Sequence, residues 1–89
     1  EEFVVLLPET GQEGARRMTE RLRAAVAMAA ATENLPELDV PVSLSIGVAS
    51  SVHLGSVTLD NLLQYADKAL YTSKQAGRDC VTAYDTDLL

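Results

Sequence analysis

The chain is expected to fold as one small α/β (α+β) unit with the element order β-α-β-α-β. Two helical periodicities and three short strand-like apolar runs, set apart by turn residues, carry that expectation. A length of 89 residues bounds the answer to a single domain with a modest core. That core must be aliphatic, because the chain has no Trp and one Phe.

Phe3 to Leu7 form an unbroken apolar run closed by Pro8. A half-exposed strand would alternate, so the run reads as a strand buried on both faces. Thr10-Gly11-Gln12-Glu13 has the spacing of a capping box, in which the Thr hydroxyl and the Glu carboxylate satisfy free amide N–H groups. Behind it Ala15, Met18, Leu22, Val26 and Ala29 recur at helical spacing, with Arg16, Arg17, Glu20, Arg21 and Arg23 mostly off that stripe. The pattern predicts an amphipathic helix with the apolar stripe turned inward. Thr32 to Asp39, with Asn34, Pro36 and three acids, reads as a surface connection.

Val42, Leu44, Ile46 and Val48 alternate with Ser43, Ser45, Gly47 and Ala49, the clearest strand in the chain. One face is branched and apolar. The other is small, and Gly47 marks where another backbone or a ligand approaches. A second helix is expected from a Thr58 cap, with Leu59, Leu62, Leu63, Ala66, Leu70 and Ser73 inward and Asp60 set against the positive end of the dipole. Gly77 suits the left-handed residue that closes a helix. Val81, Ala83 and Tyr84 suggest a last strand, and Asp85 to Leu89 a tail. Pattern alone leaves open whether the sheet is parallel and wound or antiparallel, as in ferredoxin-like and polymerase-palm arrangements.

The formal charge of −6 and sparse aromatics argue against a nucleic-acid backbone as partner. A local cationic cluster can still hold a nucleotide, since net charge does not describe a pocket. A single cysteine, Cys80, permits no internal disulfide and no Cys-based metal site. No apolar stretch is long enough to span a bilayer, and no signal-peptide pattern opens the sequence.

As a bare pair Glu1 and Glu2 read as solvated carboxylates, though they also suit magnesium, which takes one or two carboxylates and completes its shell with phosphate oxygens and water. A turn must present them, because successive strand side chains point to opposite faces. Lys74 and Arg78, four residues apart across a helix end, suit nucleotide phosphates as ammonium and forked guanidinium. Cations in that place also complement the helix dipole without any ligand. Asp67 reads as a surface pair or a partner of the Tyr71 phenol, His53 as an exposed loop residue, and Cys80 as a small buried hydrophobe at the start of the last strand.

Three ordered strings then carry a resemblance. They are Glu1-Glu2-Phe3 entering an apolar run, Ser45-Ile46-Gly47-Val48-Ala49, and Ala69-Leu70-Tyr71 leading to Lys74 and Gly77-Arg78. Their order and spacing resemble the second half of a GGDEF domain, the module that makes cyclic di-GMP, starting inside the Gly-Gly-Asp/Glu-Glu-Phe turn. The resemblance implies a ferredoxin-like, polymerase-palm-like nucleotidyl cyclase fold, with residues 1–84 as the C-terminal portion of the domain and 85–89 as a tail. It implies a diguanylate cyclase that joins two GTP, releasing two pyrophosphates, by metal-assisted attack of a 3′-hydroxyl on an α-phosphate.

By the same resemblance, Glu1 and Glu2 are catalytic and hold Mg2+ or Mn2+, while Lys74 and Arg78 hold the GTP phosphates. Two such domains meet as a homodimer, usually downstream of a sensory or receiver domain, in a cytoplasmic location that a membrane anchor elsewhere in the parent would not alter. Two positions depart from the family pattern: Ser73 stands where Ala is usual and Asp79 where Asn is usual. Asp79 sets an acid beside the phosphate-binding positions, which can weaken binding. The first metal-binding Asp, the guanine-reading Asn and Asp, the Arg-x-x-Asp product-inhibition motif and the hairpin partner of Phe3 to Leu7 are expected upstream of Glu1. Within these 89 residues Phe3 to Leu7 is therefore expected to have unpaired backbone groups and an uncovered apolar face. Alone, the 89 residues are expected to make no cyclic di-GMP. The alternatives are a catalytically silent GGDEF domain that binds GTP or cyclic di-GMP and regulates a neighbour, and a piece serving only interaction or dimerisation.

Overall fold

The computed structural model describes residues 2–33 and 42–85. Along the chain run α1 (Gln12–Glu33), β1 (Ile46–Val48), α2 (Ser51–Leu54), α3 (Leu59–Gln75) and β2 (Val81–Ala83). The two strands pair in parallel, with Ile46 opposite Val81, Gly47 opposite Thr82 and Val48 opposite Ala83. Parallel neighbours require a crossover, which α2 and α3 supply. Backbone bonds from Ile46 N to Cys80 O (2.9 Å) and from Tyr84 N to Val48 O (2.7 Å) extend the pairing at both ends.

The alternation in the second strand decides the layering. Ile46, Val48, Val81 and Ala83 share one face with Ala15 of α1 and with Leu7. Gly47 and Thr82 turn to the other face and meet α3. A Cβ on Gly47 would collide with the Ala66 carbonyl oxygen and the Leu70 amide nitrogen, so α3 lies directly on the strand backbone. The close approach expected at Gly47 is therefore made by a helix. Tyr84 is buried beyond the end of β2 and stacks on Tyr65, ring centroids 4.6 Å apart.

Ser73 is fully buried and ties α3 to both strands. Its hydroxyl has one proton, which it donates to the Ile46 carbonyl at 2.8 Å, and it accepts from the Thr82 hydroxyl at 2.7 Å. The departure from alanine thus has a structural reason. Ser73→Ala leaves both partners without their bond and is expected to cost about 1–2 kcal/mol. A denaturant midpoint of the intact protein equal to wild type would count against these bonds.

Several expectations change once the packing is known. Phe3 to Leu7 is not in a ladder: Phe3 is 85 % exposed and Val5 70 %, and only Leu7 reaches the core. A strand exists only where another runs beside it to take its amide and carbonyl groups, and no described strand does. For the same reason β1 is shorter than the alternating run, since β2 accompanies only residues 46–48. The leading strand of the β-α-β-α-β order is thus an unpaired extended segment among the described residues.

In α1, Ala15 is buried, but Met18 and Leu22 are half exposed and Ala29 is exposed. The inward line runs through Ala15, Thr19, Val26 and Ala30 instead. Two strands about 4.8 Å apart are narrower than a helix with side chains, so one edge of the apolar stripe stays uncovered. The capping box does not form. The Thr10 hydroxyl donates to the Pro8 carbonyl at 3.0 Å, and the Gly11 carbonyl accepts the first helical bond from Ala15 N at 2.9 Å.

The start of α3 is as expected, with Thr58 Oγ1 accepting from Asn61 N at 3.1 Å. Ala69 and Ser73 are its buried residues, whereas Leu59 and Leu63 are exposed. Where a helix rests on bare glycine backbone, alanine fits at the centre and leucine at the margins. Its end closes at Gly77 (φ 110°), with Arg78 N bonded to Ser73 O (3.0 Å) and Gly77 N to Lys74 O (3.5 Å). That pair of bonds is the Schellman closure. His53 lies within α2 and not in a loop, because residues 51–54 make one helical turn. The connection over 34–39 and the tail over 86–89 lie outside the described residues.

Candidate functional site

The end of α3 and the start of the chain meet. Lys74, in the last turn of α3, places its Nζ 2.8 Å from Glu2 Oε2. The two residues are 72 positions apart. Their side chains are 33 % and 57 % exposed, so the pair is open to solvent and to an incoming ligand. The hydrogen bond from Lys74, reinforced by its charge, holds the Glu2 carboxyl below the usual carboxylate range. Glu2 stays ionised at neutral pH, and its tie to Lys74 weakens only in acid, as pH falls through that lowered pKa.

Arg78 follows in the closing turn with φ 64°, and Asp79 continues it with φ 49°. Left-handed backbone costs a residue with a Cβ about 1–2 kcal/mol, so this turn must be held from outside. Asp79 N donates to Ser45 Oγ at 3.2 Å, and Asp79 Oδ1 accepts from an Arg23 terminal nitrogen at 3.0 Å. Arg23 is itself set by Glu20, whose Oε1 accepts from Nε at 2.8 Å and from the other terminal nitrogen at 2.6 Å. Glu20 and then Asp79 push the Arg23 guanidinium further up from its already high pKa. The Arg78 side chain is exposed and makes no ion pair among the described residues.

Of the four residues singled out from sequence, Glu2 and Lys74 come together, Arg78 stands four residues on in the adjoining turn, and Glu1 lies outside the described residues. Among the described residues no group of three or more His, Cys, Asp or Glu forms a ready metal cluster. The donor chemistry is compatible with magnesium: Glu2 is an exposed, ionised oxygen donor paired with Lys74, and magnesium takes one or two carboxylates with water and other oxygens. Asp67 is exposed and, among the described residues, forms neither the surface pair nor the Tyr71 bond expected for it. Cys80 is half-buried ahead of β2, its Sγ 3.5 Å from Ser73 O.

Sequence reading missed Arg23 and Ser45. The i,i+3 spacing of Glu20 and Arg23 was visible, but nothing local connects Arg23 to Asp79, 56 positions away. The charge on Asp79 is therefore not bare beside Arg78, because Arg23 faces it.

A family model described as "Diguanylate cyclase, GGDEF domain" matches residues 1–80. The chain belongs to the GGDEF family. Among its relatives is diguanylate cyclase DgcP of Pseudomonas aeruginosa, 42 % identical over 79 residues, which cover 89 % of this chain and 11 % of DgcP. Diguanylate cyclase DgcM of Escherichia coli K12 is 41 % identical over 83 residues, 93 % of this chain and 18 % of that protein. Response regulator PleD of Caulobacter vibrioides is 37 % identical over 81 residues, 91 % of this chain and 18 % of PleD. The GGDEF chain thus spans a fifth or less of the length of these relatives. No solved structure matches it. Of the three strings that carry the resemblance, every residue but Glu1 lies among the described residues. No helix among the described residues is long and apolar enough to cross a membrane.

Proposed function

We propose that the intact GGDEF domain containing this chain condenses two GTP into cyclic di-GMP and two pyrophosphates. The observation that supports this most is the 2.8 Å pair of Lys74 with Glu2, which joins the cationic end of α3 to the acidic start of the chain. The Lys74 ammonium and the Arg78 guanidinium bind the β- and γ-phosphates, one as a point charge and one as a fork. With no nucleotide bound, Glu2 neutralises Lys74. When a triphosphate arrives, its oxygens take over the ammonium and release the carboxylate. Glu2 with Glu1 would hold Mg2+ or Mn2+, which would supply charge neutralisation at the α-phosphate and ease ionisation of the attacking 3′-hydroxyl.

Each domain brings one GTP, so the active form is a homodimer, and an upstream sensory or receiver domain governs the encounter. The test is turnover of the full-length protein with GTP and magnesium, beside Glu1→Gln. Product is expected from the wild type, with a loss of roughly a hundredfold or more in Glu1→Gln while GTP still binds. The 89-residue chain by itself is expected to yield none. GTP binding by the full-length protein without product would instead favour a silent domain that binds GTP or cyclic di-GMP and regulates its neighbour.

A further inference from the structure

We infer that Arg23 is a positioning residue for the triphosphate site, acting through Asp79 to hold the Arg78 turn and to mask the acid beside it. This rests on the phosphate-binding reading of Lys74 and Arg78. Gly77, Arg78 and Asp79 are left-handed in succession, with φ 110°, 64° and 49°. Bonds from α3 fix the first part of this turn, Arg78 N to Ser73 O and Gly77 N to Lys74 O. Asp79 is fixed from outside α3, by Ser45 Oγ on its amide and by Arg23 on its carboxylate.

Arg23 is fitted to that task by Glu20. One carboxylate oxygen of Glu20 takes Nε and one terminal nitrogen, which locks the guanidinium plane and leaves the remaining terminal nitrogen aimed at Asp79. The Arg23 side chain is 22 % exposed and the Asp79 side chain 48 %, so the interaction is partly screened but not dissolved by water. Without Arg23, a bare carboxylate adjoins Arg78 and repels the anion that Arg78 is to bind. The turn also loses one of its two outer ties. Both effects weaken ground-state binding of the triphosphate and leave the reacting atoms untouched, so they belong in KM.

The test compares Arg23→Ala, Asp79→Asn and the double variant in the full-length protein, with GTP at low and at physiological salt. Arg23→Ala is expected to raise KM for GTP by roughly three- to tenfold with kcat within twofold, and more at low salt. Adding Asp79→Asn to Arg23→Ala is expected to bring KM part of the way back towards wild type, because no acid then needs masking while the outer tie to the turn stays lost. Arg23→Lys is expected to lie between wild type and Arg23→Ala, keeping the charge without the Glu20 lock. A KM unchanged in Arg23→Ala overturns the inference, as does a double variant as impaired as Arg23→Ala. So does a fall in kcat at constant KM. If wild type shows no affinity for GTP, the phosphate-site reading itself fails and the inference falls with it, an outcome distinct from the other three.

Discussion

Replacing Lys74 and Arg78 together by alanine is expected to reduce GTP affinity of the full-length protein more than a hundredfold. Each cation is assigned charge-assisted bonds to phosphate oxygens, which contribute about 1.5–3 kcal/mol apiece, and every 1.36 kcal/mol is a factor of ten. Loss of fold does not confound the result. Among the described residues Lys74 pairs only with an exposed Glu2 and Arg78 makes no ion pair, and the bonds that close α3 are backbone bonds of residues 73–78. A surface pair such as Lys74–Glu2 contributes little to stability in any case. The measurement is a GTP titration at fixed salt, with the thermal midpoint followed in parallel. Affinity within threefold of wild type, with the fold intact, would mean that these cations only complement the α3 dipole and that the chain serves interaction or dimerisation.

Gly47→Val is expected to unfold the domain. The first side-chain carbon at position 47 meets the Ala66 carbonyl oxygen and the Leu70 amide of α3, which are backbone atoms that no rotamer change can move aside. Overpacking of a core by side-chain contacts costs about 1–3 kcal/mol, and here the helix itself must lift. Lifting α3 also breaks the buried bonds of Ser73 to Ile46 and Thr82. Against a total stability of about 5–15 kcal/mol for a typical domain, that loss is decisive. Gly11→Ala is the control: nothing lies within 4 Å of its added carbon, and the poorer cap alanine makes at the start of α1 is expected to cost about 1 kcal/mol or less. Denaturant midpoints of both variants in the intact protein give the comparison. A Gly47→Val protein as stable as Gly11→Ala would show that α3 does not rest on this strand.

Gly47 also illustrates how far a local pattern reaches. The alternation from Val42 to Ala49 named the two faces of the strand, and its small face is the one on which α3 lies. The Thr58 cap and the Gly77 closure were legible for the same reason, since a cap or a Schellman turn is made by groups within a few residues of one another. Phe3 to Leu7 had an equally clear strand pattern, yet no strand among the described residues pairs with it, because a ladder needs a second strand whose presence a local pattern cannot report. In α1 the periodicity was read correctly as helical. Which edge of the stripe became buried was set by the narrow two-stranded sheet beneath it, so Met18 and Leu22 ended half exposed.

The candidate site divides along the same line. Its residue types and spacing, Glu1-Glu2-Phe3 and Lys74 with Gly77-Arg78, belong to the linear string and sufficed to suggest the family that the match over residues 1–80 establishes. What periodicity, capping and spacing determine is local: helix, alternating strand, turn, and the chemical character of a short motif. Only the folded chain brought Lys74 to Glu2 across 72 positions and Arg23 to Asp79 across 56. Contacts of that range depend on how α3 seats on Gly47 and where α1 lies on the opposite face of the strands, and no local energy term encodes either.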